Sequence, residues 1–155
     1  PGVGGRPARL TAGAVALPAQ HRVLATDVVP PYPPLSVTAA AGGPLRFAVS
    51  RSRPPEFLTA LAAQIGAELV PMGSAGAKIA AVIDGDVDAY VHAGGQYEWD
   101  SAAPVAVATA TGLHASRLDG SALEYNRRNP RLPDLAVCRK DLAPRLLAAL
   151  DRLAG

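Results

Sequence analysis

The residues best suited to chemistry lie between Met72 and Gly112, and they centre on Trp99-Asp100-Ser101-Ala102-Ala103. Asp100 stands where an alanine-rich helix is expected to begin. A carboxylate there has two uses. It can accept the unpaired N–H groups of the first turn, with Trp99 as an apolar staple before it. It can also offer oxygen to a hard divalent cation, beside a helix N-terminus that favours phosphate. The two uses are compatible, because a capping carboxylate keeps one oxygen lobe free. The expectation is that Asp100 caps its helix and ligates a metal in a phosphate-handling site.

A second candidate is the glycine-rich turn Gly73-Ser74-Ala75-Gly76, with Lys78 one turn into the helix it opens. Its N–H groups could meet a phosphate or a sugar hydroxyl; equally, small residues there could serve close packing against a sheet. It lacks the Gly-x-x-x-x-Gly-Lys-Ser/Thr spacing of a P-loop and does not match the dinucleotide fingerprint. Lys78 reads either as a solvated lysine or as a cation aimed at an anionic ligand. Ser50 and Arg51 end a strand, where they could bind an anion or form a polar surface turn.

Other groups argue against themselves. Asp84, Asp86 and Asp88 echo the start of a calcium loop, but Ala89 replaces its glycine and Gly95 its final glutamate. They read as a helix-end cap and solvated strand-edge charges. His21, His92 and His114 lack metal-ligand spacing, and no Gly-x-Ser-x-Gly elbow is present. Cys138 sits in an apolar run and reads as an inert core thiol.

The elements that must position these residues follow from periodicity. Thr11 to Leu17 and His21 to Thr26, around Pro18-Ala19-Gln20, read as a β-hairpin. With no third strand nearby it is the orphaned edge of a sheet, expected to be poorly packed and an aggregation hazard. Pro1 to Arg9 reads as loop or disorder, and the proline-rich 28–44 as a linker. From Leu45 onward the pattern becomes β-α-β-α-β-α-β-β-α. Its strands are Leu45 to Ser50, Glu68 to Pro71, Val87 to His92, Leu113 to Arg117 and Leu135 to Cys138. Its helices are Glu56 to Ile65, Gly73 to Ile83, Asp100 to Thr111 and Asp141 to Leu153. Gly94-Gly95 reads as a turn closing the third strand. The order predicts an α/β fold with a mostly parallel or mixed sheet and helices on both faces. The expected division is 1–27 as hairpin remnant, 28–44 as linker and 45–155 as α/β domain.

Bulk composition narrows the functional classes. The 155 residues are 49% hydrophobic and 18% charged, enough to bury a core. Lys and Arg number 15 against 13 acids, and the arginines are scattered, which argues against nucleic-acid binding. No apolar run is long enough for a membrane span. One cysteine precludes an internal disulfide and favours a reducing, cytoplasmic setting. The chain starts at Pro1 and its sole methionine is Met72. It therefore reads as the C-terminal piece of a longer protein, by truncation or processing, whose missing N-terminal domain is its first partner.

Taken in order, Val49-Ser50-Arg51-Ser52, Gly73-Ser74-Ala75-Gly76-Ala77-Lys78, Gly85-x-x-Asp88-Ala89-Tyr90, Trp99-Asp100-x-Ala102-Ala103 and Gly120-x-x-Leu123-x-Tyr125-Asn126 resemble the C-terminal half of the inositol-monophosphatase superfamily. Within it they look most like the CysQ-type 3′(2′),5′-bisphosphate nucleotidases of sulfur assimilation. The resemblance implies that Asp100 ligates Mg2+ and contacts substrate. It places the other ligands on an upstream glutamate and an Asp-Pro-(Ile/Leu/Val)-Asp-Gly-Thr motif, both absent here; Ile83-Asp84-Gly85 is only an echo of that motif. Inositol monophosphatases carry a glutamate seven residues before this aspartate, where Ala93 stands. Lys78 resembles a lysine many bisphosphate nucleotidases keep. Both features lean toward 3′-phosphoadenosine 5′-phosphate as substrate, bound by Asp100, Gly73, Ser74 and Lys78, with Ser50 and Arg51 contributing. The implied enzyme is a magnesium-dependent, lithium-inhibited phosphomonoesterase, and a homodimer is one assembly open to it. The alternatives are an inositol-1-monophosphatase or fructose-1,6-bisphosphatase activity of the same superfamily, and a non-catalytic nucleotide-binding module. The fragment alone is expected to be inactive.

Overall fold

A computed structural model describes residues 9–155. The segment read as loop or disorder therefore lies outside the described residues, except for Arg9.

The chain opens with the expected hairpin, β1 (Ala14–Leu17) paired antiparallel to β2 (Arg22–Ala25) across a 3-10 turn at Pro18–Gln20. A short α1 (Val37–Ala40) follows. Then come β3 (Leu45–Ser50), α2 (Leu58–Ile65), β4 (Ala67–Met72), α3 (Ala75–Asp84), β5 (Ala89–Tyr97), α4 (Glu98–Thr111), β6 (His114–Ser116), β7 (Arg131–Cys138) and α5 (Ala143–Ala154). From β3 onward this is the order read from the sequence. Five strands form one mixed sheet in the order β4-β3-β5-β7-β6. β3 runs parallel to β4 and β5, while β7 runs antiparallel to both β5 and β6.

Helices cover both faces. Phe47, Val91, Ala136 and Cys138 pack on α2 and α5 through Leu58, Leu61, Leu146 and Leu150. The opposite face holds α3, α4 and the hairpin, around Ile79, Val82, Tyr90, Val107 and Leu135. Gly66, Gly85 and Gly112 end α2, α3 and α4 in the left-handed conformation, which glycine adopts without a Cβ clash.

Three expectations change. The hairpin forms its own two-stranded sheet, yet it is not poorly packed. Leu17 and Leu24 are each 8% exposed and join the core over α3 and α4. Gly13 lets it sit closely on α4, because a Cβ there would meet the Ala103 carbonyl oxygen at 2.8 Å. Arg22 also pairs with Asp84 at the end of α3. What the sequence hides is that the hairpin's apolar side finds a helix partner, not a third strand.

Gly94-Gly95 is not a turn that ends β5. The strand continues to Tyr97 and the pair forms a bulge, where the register against β7 shifts between Ala93 and Gln96. Both glycines have φ of +82°, which explains the residue type without a reversal of the chain.

Asp88 is not a solvated edge charge. It is fully buried, and its carboxylate accepts the Ser36 N–H at 2.9 Å, the Ser36 hydroxyl at 2.5 Å and the Arg46 N–H at 2.8 Å. These bonds tie segment 28–44 to the sheet. Tyr32 Oη adds another by accepting the Lys140 N–H at 2.8 Å.

Candidate active site

The parallel strands β3 and β4 deliver Ser50-Arg51 and Gly73-Ser74 to the same end of the sheet. The Arg51 N–H donates to the Met72 carbonyl at 3.1 Å, so the two loops touch. The Lys78 ammonium reaches the same carbonyl at 3.4 Å. Ser50, Arg51, the Gly73 turn and Lys78 are thereby brought together around Met72. Ser50 Oγ itself accepts the Arg53 N–H at 3.2 Å, which makes it part of a polar turn.

Ser74 caps α3, its Oγ accepting the Ala77 N–H at 3.3 Å. It does so at φ +59° and ψ 127°, a conformation few residues other than glycine adopt. A Cβ added at Gly73 would meet no atom within 4 Å, so packing does not require glycine there. Gly76 faces Val15 of the hairpin, and a Cβ on it would lie 3.6 Å from Val15 Cγ1.

Lys78 is neither solvated nor at the surface: it is 4% exposed. Its Nζ lies 5.1 Å from the centre of the Tyr90 ring, a favourable cation–π placement. Burial lowers its pKa from the ordinary lysine value.

The strand β5 continues the site. By strand alternation Tyr90 and His92 share the face turned to α3 and α4, while Val91 and Ala93 face the other way. Tyr90 is fully buried, and the Gln96 amide donates to its hydroxyl at 2.6 Å. Burial raises its pKa. His92, 6% exposed, bonds the Gly94 carbonyl through Nε2 at 2.8 Å, and its Nδ1 has no partner among the described residues. Burial chiefly lowers the His92 pKa and the Lys78 charge adds to this. The Gly94 bond and the charges of Asp100 and Asp134 oppose it. The charges of Lys78 and Asp100 therefore act on His92 in opposite directions.

Asp100 lies in the first turn of α4, but as the third helical residue. Tyr97 is the cap position, and Asp100 Oδ2 accepts its N–H at 2.8 Å. The expected capping is present in this back-reaching form. Oδ1 has no hydrogen bond among the described residues and the side chain is exposed, so one oxygen remains open to a ligand. Trp99 is no staple. It is 67% exposed and stacks on Tyr97, with ring centres 4.6 Å apart and planes 3° apart.

Sequence reasoning missed His92 and Gln96. The signal for His92 was its place two residues after Tyr90. Ala93, seven residues before Asp100, is partly buried and lies just ahead of the bulge. Cys138 is the inert core thiol expected, fully buried, with burial raising its pKa to about 12.

A divalent cation of the magnesium type needs several oxygen ligands. The described residues contain no group of three His, Cys, Asp or Glu side chains able to hold a metal. Asp100 contributes one carboxylate, so these residues do not by themselves build a metal centre.

Comparison with known proteins gives these features a setting. Residues 36–154 match the model of the inositol monophosphatase family. A protein of Mycobacterium leprae named 3′-phosphoadenosine 5′-phosphate phosphatase is 53% identical over 142 residues, covering 91% of this chain and 51% of that protein. Its Mycobacterium bovis namesake is 55% identical over 144 residues, covering 91% and 52%. The chain thus spans about half the length of these relatives. Among solved structures, CysQ from Bacteroides thetaiotaomicron is 31% identical with a TM-score of 0.55, over 62% of this chain and 37% of that one. Inositol monophosphatase II from Staphylococcus aureus shares the fold, with a TM-score of 0.57 at 18% identity over 81% of this chain and 48% of that one.

Proposed function

Because the chain belongs to the inositol monophosphatase family, we propose that it is the C-terminal half of a metal-dependent phosphomonoesterase acting on 3′-phosphoadenosine 5′-phosphate. The observation that carries this reading is the open carboxylate oxygen of Asp100 in the first turn of α4, its partner oxygen fixed by the Tyr97 N–H. The mycobacterial relatives, over half identical and named for that substrate, support the choice.

In this reading Asp100 is one ligand of a Mg2+ site completed by residues outside this chain. The metal would supply charge neutralisation and an activated water. This chain's own residues do the rest. The bond from Tyr97 N–H to Asp100 Oδ2 fixes the carboxylate and leaves Oδ1 to the ligand. Gly73 and Ser74 shape the pocket wall with backbone, Ser50 and Arg51 border it, and Lys78 adds positive potential from beneath. The β1–β2 hairpin would close an N-terminal domain, with 28–44 as the connection and 45–155 as the C-terminal domain. No helix among the described residues is long and apolar enough to cross a membrane, and the cytoplasm is the compartment we assign.

The test has two arms. The 155-residue chain, assayed with Mg2+ on 3′-phosphoadenosine 5′-phosphate, inositol 1-phosphate and fructose 1,6-bisphosphate, is expected to release no phosphate. Joined to the N-terminal half of a mycobacterial relative, it is expected to hydrolyse the first substrate fastest, with inhibition by lithium. Turnover by the chain alone would defeat the split-site reading. Preference for inositol 1-phosphate or fructose 1,6-bisphosphate would move the assignment within the family. Nucleotide binding without turnover in the joined protein would favour the non-catalytic module, a reading that the single carboxylate of these residues also accommodates.

A further inference from the structure

Gly94 and Gly95 on β5 stand against a single β7 residue, Pro133, because Ala93 pairs with Asp134 and Gln96 with Leu132. Two residues against one make a β-bulge. A proline has no N–H, so β7 offers the bulge no backbone donor at that position. A Cβ on either glycine would meet nothing within 4 Å. Conformation and not packing therefore selects glycine here, at φ of +82°.

Side chains supply what the ladder lacks. His92 Nε2 lies 2.8 Å from the Gly94 carbonyl oxygen. That oxygen only accepts, so Nε2 must carry a proton. The Gln96 amide donates to the Tyr90 hydroxyl at 2.6 Å, joining the strand before the bulge to the strand after it. Tyr90, His92 and Gln96 are all buried. His92 Nδ1 has no partner among the described residues, so a second ring proton would be an unmet buried donor. Burial and the Lys78 charge both favour the neutral ring. The neutral ring then has one arrangement, with Nε2–H on Gly94 and Nδ1 bare.

The bulge leads directly into the start of α4. Tyr97 follows Gln96, and its N–H donates to Asp100 Oδ2 at 2.8 Å. The next residue, Glu98, is held from the other side, its N–H donating to the Pro130 carbonyl at 2.8 Å. The turn that carries Asp100 is thus gripped by the loop before β7 and by β5 through the bulge.

We propose that His92 is a positioning residue: its bond to the Gly94 carbonyl sets the bulge and, through Gln96 and Tyr97, the direction of the Asp100 carboxylate. The inference rests on the reading of Asp100 as a metal ligand and adds a residue that acts on that ligand without joining it.

The test reads geometry before turnover. In the 155-residue parent, long-range 1H–15N spectra of the His92 ring should show a protonated Nε2 and a bare Nδ1. The second readout is hydrogen exchange at the Tyr97 amide, which the Asp100 carboxylate holds. His92→Leu should speed it about tenfold, the protection that one hydrogen bond provides. His92→Gln, whose amide nitrogen stands near the place of Nε2, should keep it within about twofold of the parent. Thr111→Val removes the buried bond from Thr111 Oγ1 to the Val107 carbonyl, 2.9 Å long, at the other end of α4. It should leave Tyr97 exchange unchanged. His92→Asn, too short to reach Gly94, replaces His92→Leu if the latter does not fold, with the same expected speeding. In the protein joined to a mycobacterial N-terminal half, His92→Leu should lower kcat and raise the Mg2+ concentration giving half the maximal rate. KM for 3′-phosphoadenosine 5′-phosphate should hold, and His92→Gln should restore both losses.

A proton on Nδ1 in place of Nε2 would overturn the proposal. So would unchanged Tyr97 exchange in His92→Leu, equal speeding in Thr111→Val, or no rescue by His92→Gln. A change in KM alone would make His92 a substrate contact and not a positioning residue. An inactive joined parent defeats the catalytic reading and leaves the exchange result standing. An active joined parent whose Tyr97 exchange ignores His92→Leu defeats the positioning role alone.

Discussion

The two faces of the sheet are built from opposite materials. Against α2 and α5 the buried cluster is apolar: Phe47, Val49, Leu58, Leu61, Val91, Leu146 and Leu150, with Cys138 among them, and the buried Ser116 opposite Ala136 at the sheet edge has its hydroxyl bonded to the Arg117 carbonyl. Against α3 and α4 the same sheet buries Lys78, Tyr90, His92, Gln96, Ser101 and Tyr125. Burying apolar groups is favourable without conditions, whereas each buried polar group must find a partner or cost stability. On the α3/α4 face the partners are incomplete, for His92 Nδ1 and Gln96 Oε1 have none among the described residues. The apolar face is a foundation. The polar face gives up some of that stability, and it is where Asp100 and Lys78 stand.

The largest effect belongs to the apolar face. Phe47, fully buried between β3 and the α2/α5 layer, should cost about 3–5 kcal/mol when replaced by alanine, through lost burial and a cavity. Urea unfolding measures this. A loss no greater than that of a polar-face variant would break the contrast between the two faces.

Asp88 comes next, because it sits at the sheet's end and belongs to neither face. Asp88→Asn keeps the shape but turns an acceptor of three hydrogen bonds into a group that must present N–H to some of them. A loss of about 2–3 kcal/mol is expected from the unmet donors, with faster amide exchange at Ser36 as segment 28–44 loosens. A variant as stable as the parent would show that the segment docks by other contacts.

The contrast also explains what could be read in advance. The β-α alternation from Leu45 was legible, because apolar runs and terminal glycines such as Gly66 and Gly112 are local signals. Asp100 near a helix start was legible for the same reason. What escaped depends on distant partners. Ser36 meets Asp88 across 52 residues of sequence. β7, which keeps β5 extended through Gly94-Gly95, lies more than 30 residues beyond that bulge. Leu17 and Leu24 are buried by helices far along the chain. Lys78 sits in an alanine-rich helix whose composition does not say which side chain faces Tyr90. The polar face was therefore harder to read than the apolar one, whose stripe in α5 is written directly in Leu146 and Leu150.

Lys78→Met should change stability at pH 7 by no more than about 1 kcal/mol, and either sign is consistent with removing a buried charge of similar volume. The pH slope is the sharper measure. The folded lysine titrates below its ordinary value, so between the folded value and 10.5 the unfolded chain binds more protons. Stability of the parent must therefore rise with pH across that window, and the variant must lack this rise. Parent and variant with the same slope would mean that Lys78 is solvated after all.

The smallest effect tests whether Lys78 and Asp100 act on one place. His92 titrates below the ordinary histidine value, mainly through burial, with Lys78 pushing it down and Asp100 pulling it up. Lys78→Met should raise its pKa and Asp100→Asn should lower it. Each shift is about a few tenths of a pH unit, the size of a charge effect across several ångströms of partly wet protein. The imidazole signals in NMR read both. In the parent, the unfolded chain binds more protons at His92 than the folded one between the lowered folded value and 6.5. This contribution therefore destabilises the fold in acid, and the penalty disappears as pH rises through that window. Shifts of opposite sign in the two variants would place the buried cation and the open carboxylate around one histidine, as a joint site requires. Two shifts of the same sign, or none, would separate Lys78 from Asp100 and leave the polar face as scattered imperfections, not as one wall of a pocket.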